Sequence, residues 1–228
     1  SVRIHSSWRF STAMRHGSAE PVHIAVMARA PQPGAAKTRL IPALGAVGAA
    51  RLQRRFTLQA LVEASRAATG GVILWGAPHC QHRFFRALRR RLAVELRSQS
   101  EGDLGARMAA VFAAYSGPVV LIGTDCPVLL GAHLVAAARV LRGDGDGPND
   151  AVFVPAEDGG YVLVGLRGPQ PRLFEGIDWG SDRVMAQTRE CLSELGLRWV
   201  ELPTLWDVDR PEDLPRLATL EGYRAWSP

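Results

Sequence analysis

Apolar residues in this chain fall into short runs separated by longer amphipathic stretches. Val22 to Ala28 is nearly all apolar and reads as a buried strand. Residues 44–68 then predict a helix, with Leu52, Phe56 and Ala60 repeating on one face, Arg54 pointing away, and Gly70-Gly71 as the stop. Val72 to Trp75 predicts a second strand. Residues 79–91 predict a helix with Phe85, Leu88 and Leu92 on one side and Arg83, Arg86 and Arg90 on the other. Leu92 to Leu96 reads as a third strand, Leu104 to Tyr115 as a third helix, Val119 to Ile122 as the clearest buried strand, and Ala132 to Leu141 as another helix. This alternation predicts an α/β fold, a mostly parallel sheet with helices on both faces.

After a polar loop at 143–150 the pattern changes. Ala151 to Pro155 and Tyr161 to Leu166 are strands joined only by Ala156-Glu157-Asp158-Gly159-Gly160, so an antiparallel hairpin is expected in the second half. A helix over 182–195, a strand over 197–202 and a closing helix over 211–220 complete the prediction.

At 228 residues the chain can bury one substantial core, and residues 21–228 are expected to form one domain. Residues 1–20, rich in Ser and Arg with a single acid, read as a leader or appended extension. A hydrophobic fraction of 47% and a charged fraction of 21% belong to a soluble globular protein. The net charge of +5 suits an anionic small molecule. No aromatic platform or nucleic-acid motif accompanies the arginines, so no nucleic-acid partner is expected. Three scattered cysteines give neither a disulfide framework nor a zinc site, and the expected compartment is the cytoplasm. The longest apolar stretch, Val119 to Leu141, is broken by Asp125, Pro127 and His133, which argues against a membrane span.

Chemistry concentrates in a few segments. Lys37, the sole lysine, lies in the Pro/Gly loop Ala30-Pro31-Gln32-Pro33-Gly34-Ala35-Ala36-Lys37-Thr38-Arg39 directly after the first strand. A compact ammonium there suits a phosphate oxygen, and strand ends are where α/β proteins hold nucleotides. The spacing fails the P-loop pattern, and no Gly-x-Gly-x-x-Gly opens a helix. Asp125, in Gly123-Thr124-Asp125-Cys126-Pro127, ends the most apolar strand and reads first as a ligand for Mg²⁺ or Mn²⁺ and second as a cap for the helix starting near Leu130. Cys126 lacks a histidine partner motif and reads as structural. Asp158 in Asp158-Gly159-Gly160-Tyr161 reads either as a site acid or as a hairpin turn. Asp207 and Asp209 either open a helix or face one site from an extended segment. Asp103, between Gly102 and Gly105, reads as a helix cap beside glycines that let a planar base approach.

Together these motifs resemble the bacterial GT-A-like transferases of the nucleotide-diphospho-sugar transferase superfamily, of the arsenosugar-biosynthesis glycosyltransferase type. The matching pieces are Ala30-Pro31 through Leu40, Gly102-Asp103-Leu104-Gly105 with Arg107-Met108, Gly123 through Pro127, Asp158 through Tyr161, and Asp207-Val208-Asp209 with Pro211-Glu212-Asp213-Leu214. They stand in the family's order over about residues 22 to 217. The resemblance implies a Rossmann-like GT-A sheet with nucleotide over the first strands. It implies that the Arg29–Arg39 loop, with Arg29, Ala30, Gly34, Lys37 and Arg39, wraps the phosphates, that the Gln99–Arg107 segment, with Gln99, Gly102, Asp103, Gly105 and Arg107, contacts the base, and that Ala28 and Thr124 also contribute to nucleotide binding. Asp125 and Asp209 would be the metal ligands, and Lys37, Asp125 and Asp158 the catalytic groups, Asp158 as a general base.

The chain departs from the pattern twice: it lacks the Gly-Gly-x-Gly-x-Arg loop of sugar-nucleotide pyrophosphorylases, and residue 123 is Gly where a full Asp-x-Asp would have its first acid. The preferred expectation is a metal-dependent glycosyltransferase acting on a nucleotide-diphospho-sugar and a small-molecule acceptor. The alternatives are a nucleotidyltransferase using a nucleoside triphosphate, and a nucleotide-binding protein without turnover.

Overall fold

The computed structural model describes residues 20–68, 70–144 and 147–226. The expected leader, apart from Glu20, lies outside the described residues, as do positions 145 and 146 of the polar loop.

Among the described residues seven strands form one sheet. They are β1 (His23–Arg29), β2 (Val72–Ala77), β3 (Glu95–Ser98), β4 (Val119–Ile122), β5 (Ala151–Pro155), β6 (Tyr161–Leu166) and β7 (Trp199–Glu201). Their order across the sheet is β3-β2-β1-β4-β6-β5-β7. Strands β1 to β4 run parallel, β6 runs antiparallel to both β4 and β5, and β7 is parallel to β5. The expected mostly parallel sheet with a hairpin in the second half is therefore observed.

Among the described residues six α-helices accompany the sheet: α1 (Ile41–Ala67), α2 (Arg83–Leu92), α3 (Leu104–Ala113), α4 (Gly131–Arg142), α5 (Val184–Glu194) and α6 (Leu214–Leu217). Alternation along β1 sorts the core. Ile24, Val26 and Ala28 pack with Leu61, Phe85 and Leu134 on one face, while Ala25 joins Trp75, Met108, Phe112 and Leu192 on the other. A third cluster packs the C-terminal segment onto the start of α1 through Leu40, Leu52, Phe56, Val208, Leu214 and Tyr223. No helix among the described residues is long and apolar enough to cross a membrane.

Several predicted boundaries move. The third strand is Glu95–Ser98, not Leu92 to Leu96, because Leu92 still closes α2 and Ala93 turns the chain in the left-handed region. Helix α2 begins at Arg83, where the His82 ring accepts from the Phe84 N–H. The last strand shortens to Trp199–Glu201. The closing helix is a 3-10 turn over Pro211–Asp213 followed by the single turn of α6. Pro211 and Pro215 each remove an amide donor, so a longer regular helix has no continuous ladder there.

This topology decides where a site can form. β2 lies on one side of β1 and β4 on the other, so the crevice at the carboxyl ends of β1 and β4 is a topological switch point. Because β6 is antiparallel, its first residue, Tyr161, comes to that same edge. An isolated parallel bridge between Ala156 and Leu205 brings the segment after β7 there as well.

Candidate active site

Several chain segments meet at this edge around a cavity of about 620 Å³. The loop after β1 contributes Arg29, Lys37 and Arg39, and the loop after β4 contributes Thr124 and Asp125. The segment after β3 contributes Gln99, the first turns of α3 contribute Leu104 and Arg107, and the strand-like tail contributes Asp207 and Asp209. Four of these side chains are cationic and three anionic, so the cavity has a basic and an acidic wall.

Lys37 links the two walls. Its backbone adopts the left-handed conformation (φ 49°) that side chains rarely take. Its side chain is only 4% exposed, and Nζ donates to the Val208 carbonyl at 2.6 Å while pairing with Asp125 Oδ2 at 2.9 Å. The ammonium also lies 5.5 Å from the centre of the Phe56 ring. A return bond, Val208 N–H to the Asp125 carbonyl at 2.9 Å, fastens the tail to the β4 loop. Arg39 makes the parallel link outside, an exposed ion pair with Asp209.

Asp125 is held from its other side by a buried polar network absent from the sequence-based expectations. Gln53 and Thr57 are buried on α1. The Gln53 amide donates to Thr124 Oγ1 at 3.1 Å, and Thr124 Oγ1 donates to Asp125 Oδ1 at 3.2 Å. Two polar residues inside an otherwise apolar helix face were the available signal. Asp125 does not cap α4; there, His133 Nδ1 accepts from the Leu130 N–H.

Asp207 and Asp209 alternate with buried Val208 along an extended segment, so both carboxylates face the cavity. Burial, and then the charges of Asp158 and Asp125, push the Asp207 carboxyl up to about 6. Asp158 sits in the β5–β6 turn, where Oδ1 accepts from the Gly160 N–H at 2.9 Å. The turn reading is thus correct, and the same turn still presents a carboxylate. It is seated on α5: the Gly159 carbonyl accepts from Met185 N–H, and a Cβ on Gly159 would lie 2.0 Å from the Asp182 oxygen.

The other predicted positions divide. Ala28 and Arg29 line the cavity, and Gln99 ties the ends of β1 and β2 together by donating to the Ala28 and Trp75 carbonyls. Arg107 also lines it, with Nε on the Gly102 carbonyl at 3.0 Å. Ala30, Gly34, Gly102, Asp103 and Gly105 do not line it. Ala30 is buried in the core, and Asp103 caps α3 by accepting from the Ala106 N–H at 2.8 Å. Gly105 is a packing position, since an added Cβ would lie 2.4 Å from the Phe174 carbonyl oxygen and 2.7 Å from Trp179 Nε1. Burial pushes the Cys126 thiol up to about 12, in line with a structural cysteine.

A second cavity of about 240 Å³ adjoins the first, with Met27, Leu104, Tyr161 and Asp207 bordering both. Asp158 stands on its wall.

The donor set fits a hard divalent cation. Asp125 and Asp209 are 44% and 40% exposed toward the cavity, and the like charges that raise Asp207 would be relieved by a cation. Among the described residues no three His, Cys, Asp or Glu side chains converge tightly enough to hold a metal by themselves.

Residues 57–181 match the family described as "Uncharacterized protein conserved in bacteria (DUF2064)". None of the curated proteins searched matches the chain. Among solved structures it is similar to a Desulfovibrio desulfuricans G20 protein provisionally described as a nucleotide-diphospho-sugar transferase. The TM-score is 0.75 at 29% identity, over 89% of this chain and 90% of that one. A cytidylyltransferase from Leptospira borgpetersenii gives a TM-score of 0.55 at 13% identity, over 90% and 91% of the two chains. Glucosyl-3-phosphoglycerate synthase from Mycobacterium tuberculosis, solved with Mn²⁺, uridine diphosphate and glucosyl-3-phosphoglycerate, gives 0.50 at 11% identity, over 87% and 75%. The last two speak for the fold alone.

Proposed function

The chain belongs to the DUF2064 family and is a transferase of the GT-A-like nucleotide-diphospho-sugar superfamily; from that premise we propose that it is a metal-dependent glycosyltransferase. It takes a nucleotide-diphospho-sugar as donor and passes the sugar to a small-molecule acceptor. The observation that carries this reading is the switch-point cavity with a basic wall facing three carboxylates, opening into a second chamber that carries Asp158.

In this reading Arg29 and Arg39 bind the diphosphate, and Lys37 keeps the β4 loop and the tail in register while lending positive charge. Gln99 uses its amide hydrogens on backbone carbonyls, so its own carbonyl oxygen is the group it offers a base. Asp125 and Asp209 would hold Mg²⁺ or Mn²⁺, which when bound supplies charge stabilisation for the departing diphosphate. Preorganised charge of this kind is usually the largest catalytic contribution. Asp158 takes the acceptor's proton as the acceptor oxygen bonds to the sugar carbon.

One observation favours a second reading, nucleotidyl transfer from a triphosphate: Asp125 has no acid two residues earlier, and its partner acids come instead from the tail. The leaving group separates the two. Incubation with Mn²⁺ and panels of nucleotide-sugars and nucleoside triphosphates, with an alcohol acceptor mixture, is expected to release nucleoside diphosphate from a nucleotide-sugar. Pyrophosphate release from a triphosphate would replace this reading with the second, and release from neither would refute both.

A further inference from the structure

The smaller chamber differs in chemistry from the larger one. Apolar side chains, Met27, Leu104, Met108, Tyr161, Trp179 and Val184 among them, supply most of its wall, and the polar side chains Asp158, Ser181 and Asp207 are few. Tyr161 and Trp179 meet edge to face, 6.5 Å between centroids at 87°, giving the chamber a rigid aromatic corner. Leu104 is 47% exposed, one of only three large apolar side chains so exposed among the described residues, and it stands where the two cavities join.

A sugar buried here would lose water from several hydroxyls and regain few hydrogen bonds, at a cost for each group left unpaired. An apolar ring has no hydrogen bonds to water to give up and gains contact. The volume, about 240 Å³, is below the range of about 300–1,000 Å³ for pockets that take drug-sized ligands, which sets a compact occupant.

We infer that this chamber is the acceptor subsite and that the acceptor is a compact molecule with an apolar, ring-sized body and its nucleophilic hydroxyl at one end, not a sugar. The assignment of this occupant as acceptor rests on the transferase reading of the larger cavity. The body lies against Trp179, Tyr161 and Met108, and the hydroxyl points toward Asp158 and the junction. In the reaction the acceptor O–H proton passes to the Asp158 carboxylate and the acceptor oxygen bonds to the sugar carbon. The bond from that carbon to the phosphate oxygen breaks, and its electron pair leaves with the nucleoside diphosphate.

The test separates binding from turnover. Ligand-observed NMR with the full chain would titrate benzyl alcohol, cyclohexylmethanol and glucose, each alone and with saturating uridine, guanosine or cytidine diphosphate. The two apolar alcohols are expected to bind without displacement by nucleotide, and glucose to bind at least about tenfold more weakly. Ser181→Trp, at a partly exposed rim position, is expected to weaken the alcohols about tenfold or more and to leave nucleotide binding unchanged. Trp179→Phe, which keeps an aromatic ring, is expected to retain alcohol binding. Glucose binding as tightly as the alcohols, or alcohol binding unchanged in a folded Ser181→Trp, overturns the inference. Alcohol binding in a protein that binds no nucleotide would sink the transferase reading and retain only the apolar chamber.

Discussion

Replacing Lys37 by methionine removes the one side chain that ties three segments of the site together, and its cost can be worked from the contacts. The ammonium is 4% exposed and makes a 2.6 Å bond to the Val208 carbonyl and a 2.9 Å ion pair to Asp125. Leaving the buried carbonyl without its donor costs about 1–2 kcal/mol. Breaking a fully buried ion pair costs about 3–5 kcal/mol, but Asp125 is 44% exposed and recovers water, so about 1 kcal/mol is the appropriate share. The expected total is about 2–3 kcal/mol, or a fall of about 5–10 °C in Tm for a chain of this size. Urea unfolding of wild type, Lys37→Met, Asp125→Asn and the double variant would measure the loss and the coupling. Asp125→Asn should recover about 1 kcal/mol of the Lys37→Met loss, because the carboxylate left unpaired is gone. Lys37→Arg should also be destabilised, since a planar guanidinium must fit the same slot beside Phe56. A Lys37→Met protein within about 0.5 kcal/mol of wild type, or a double variant showing no coupling, would refute this account of the lysine.

Two further outcomes follow from individual positions. The Asp207 carboxyl is raised from 3.8 to about 6, so the folded state binds more protons than the unfolded one between those values and stability falls as pH rises through that window. Asp207→Asn should flatten the fall and stabilise the protein by about 1 kcal/mol at pH 7.5 after allowing for solvent screening, measured by urea midpoints at pH 4.5 and 7.5; an unchanged pH profile would contradict it. Gly105→Ala in α3 would be expected from helix propensity to stabilise by up to about 1 kcal/mol, but the added Cβ meets the Phe174 carbonyl and the Trp179 ring, so a loss of about 1–3 kcal/mol is predicted, with the sign of the Tm change deciding.

Legibility in the sequence followed the range of the interactions. Val119 to Ile122 was readable because all four residues are buried and a continuous apolar run needs no partner to be recognised. Strand β3 was not, because at the sheet edge its residues are only partly buried and carry no alternation, so the apolar Leu92 of the preceding helix drew the expectation three residues too early. The hairpin and the acid in its turn were both legible in one glycine-rich segment. The basic loop, Asp125 and the two tail acids were recognisable as motifs, but their pairing was not. Lys37 and Val208 are 171 residues apart, and Gln53 and Thr124 are 71 apart. Buried Gln53 and Thr57 become informative only once the loop after β4 brings Thr124 to Gln53. Asp103 and Gly105 sat in the right motif for a local reason, a helix cap and a close packing contact, rather than by lining the cavity.

The most direct test of the central claim is calorimetric titration of uridine, guanosine and cytidine diphosphates into the wild-type protein, with Mn²⁺ and with a chelator, repeated on Asp209→Asn. At least one nucleotide should bind with Mn²⁺ and bind at least about tenfold more weakly under chelation, and Asp209→Asn should lose most of that difference while remaining folded. Equal binding with and without Mn²⁺, or binding by none of the three, would contradict a cavity built for a nucleotide and a divalent cation.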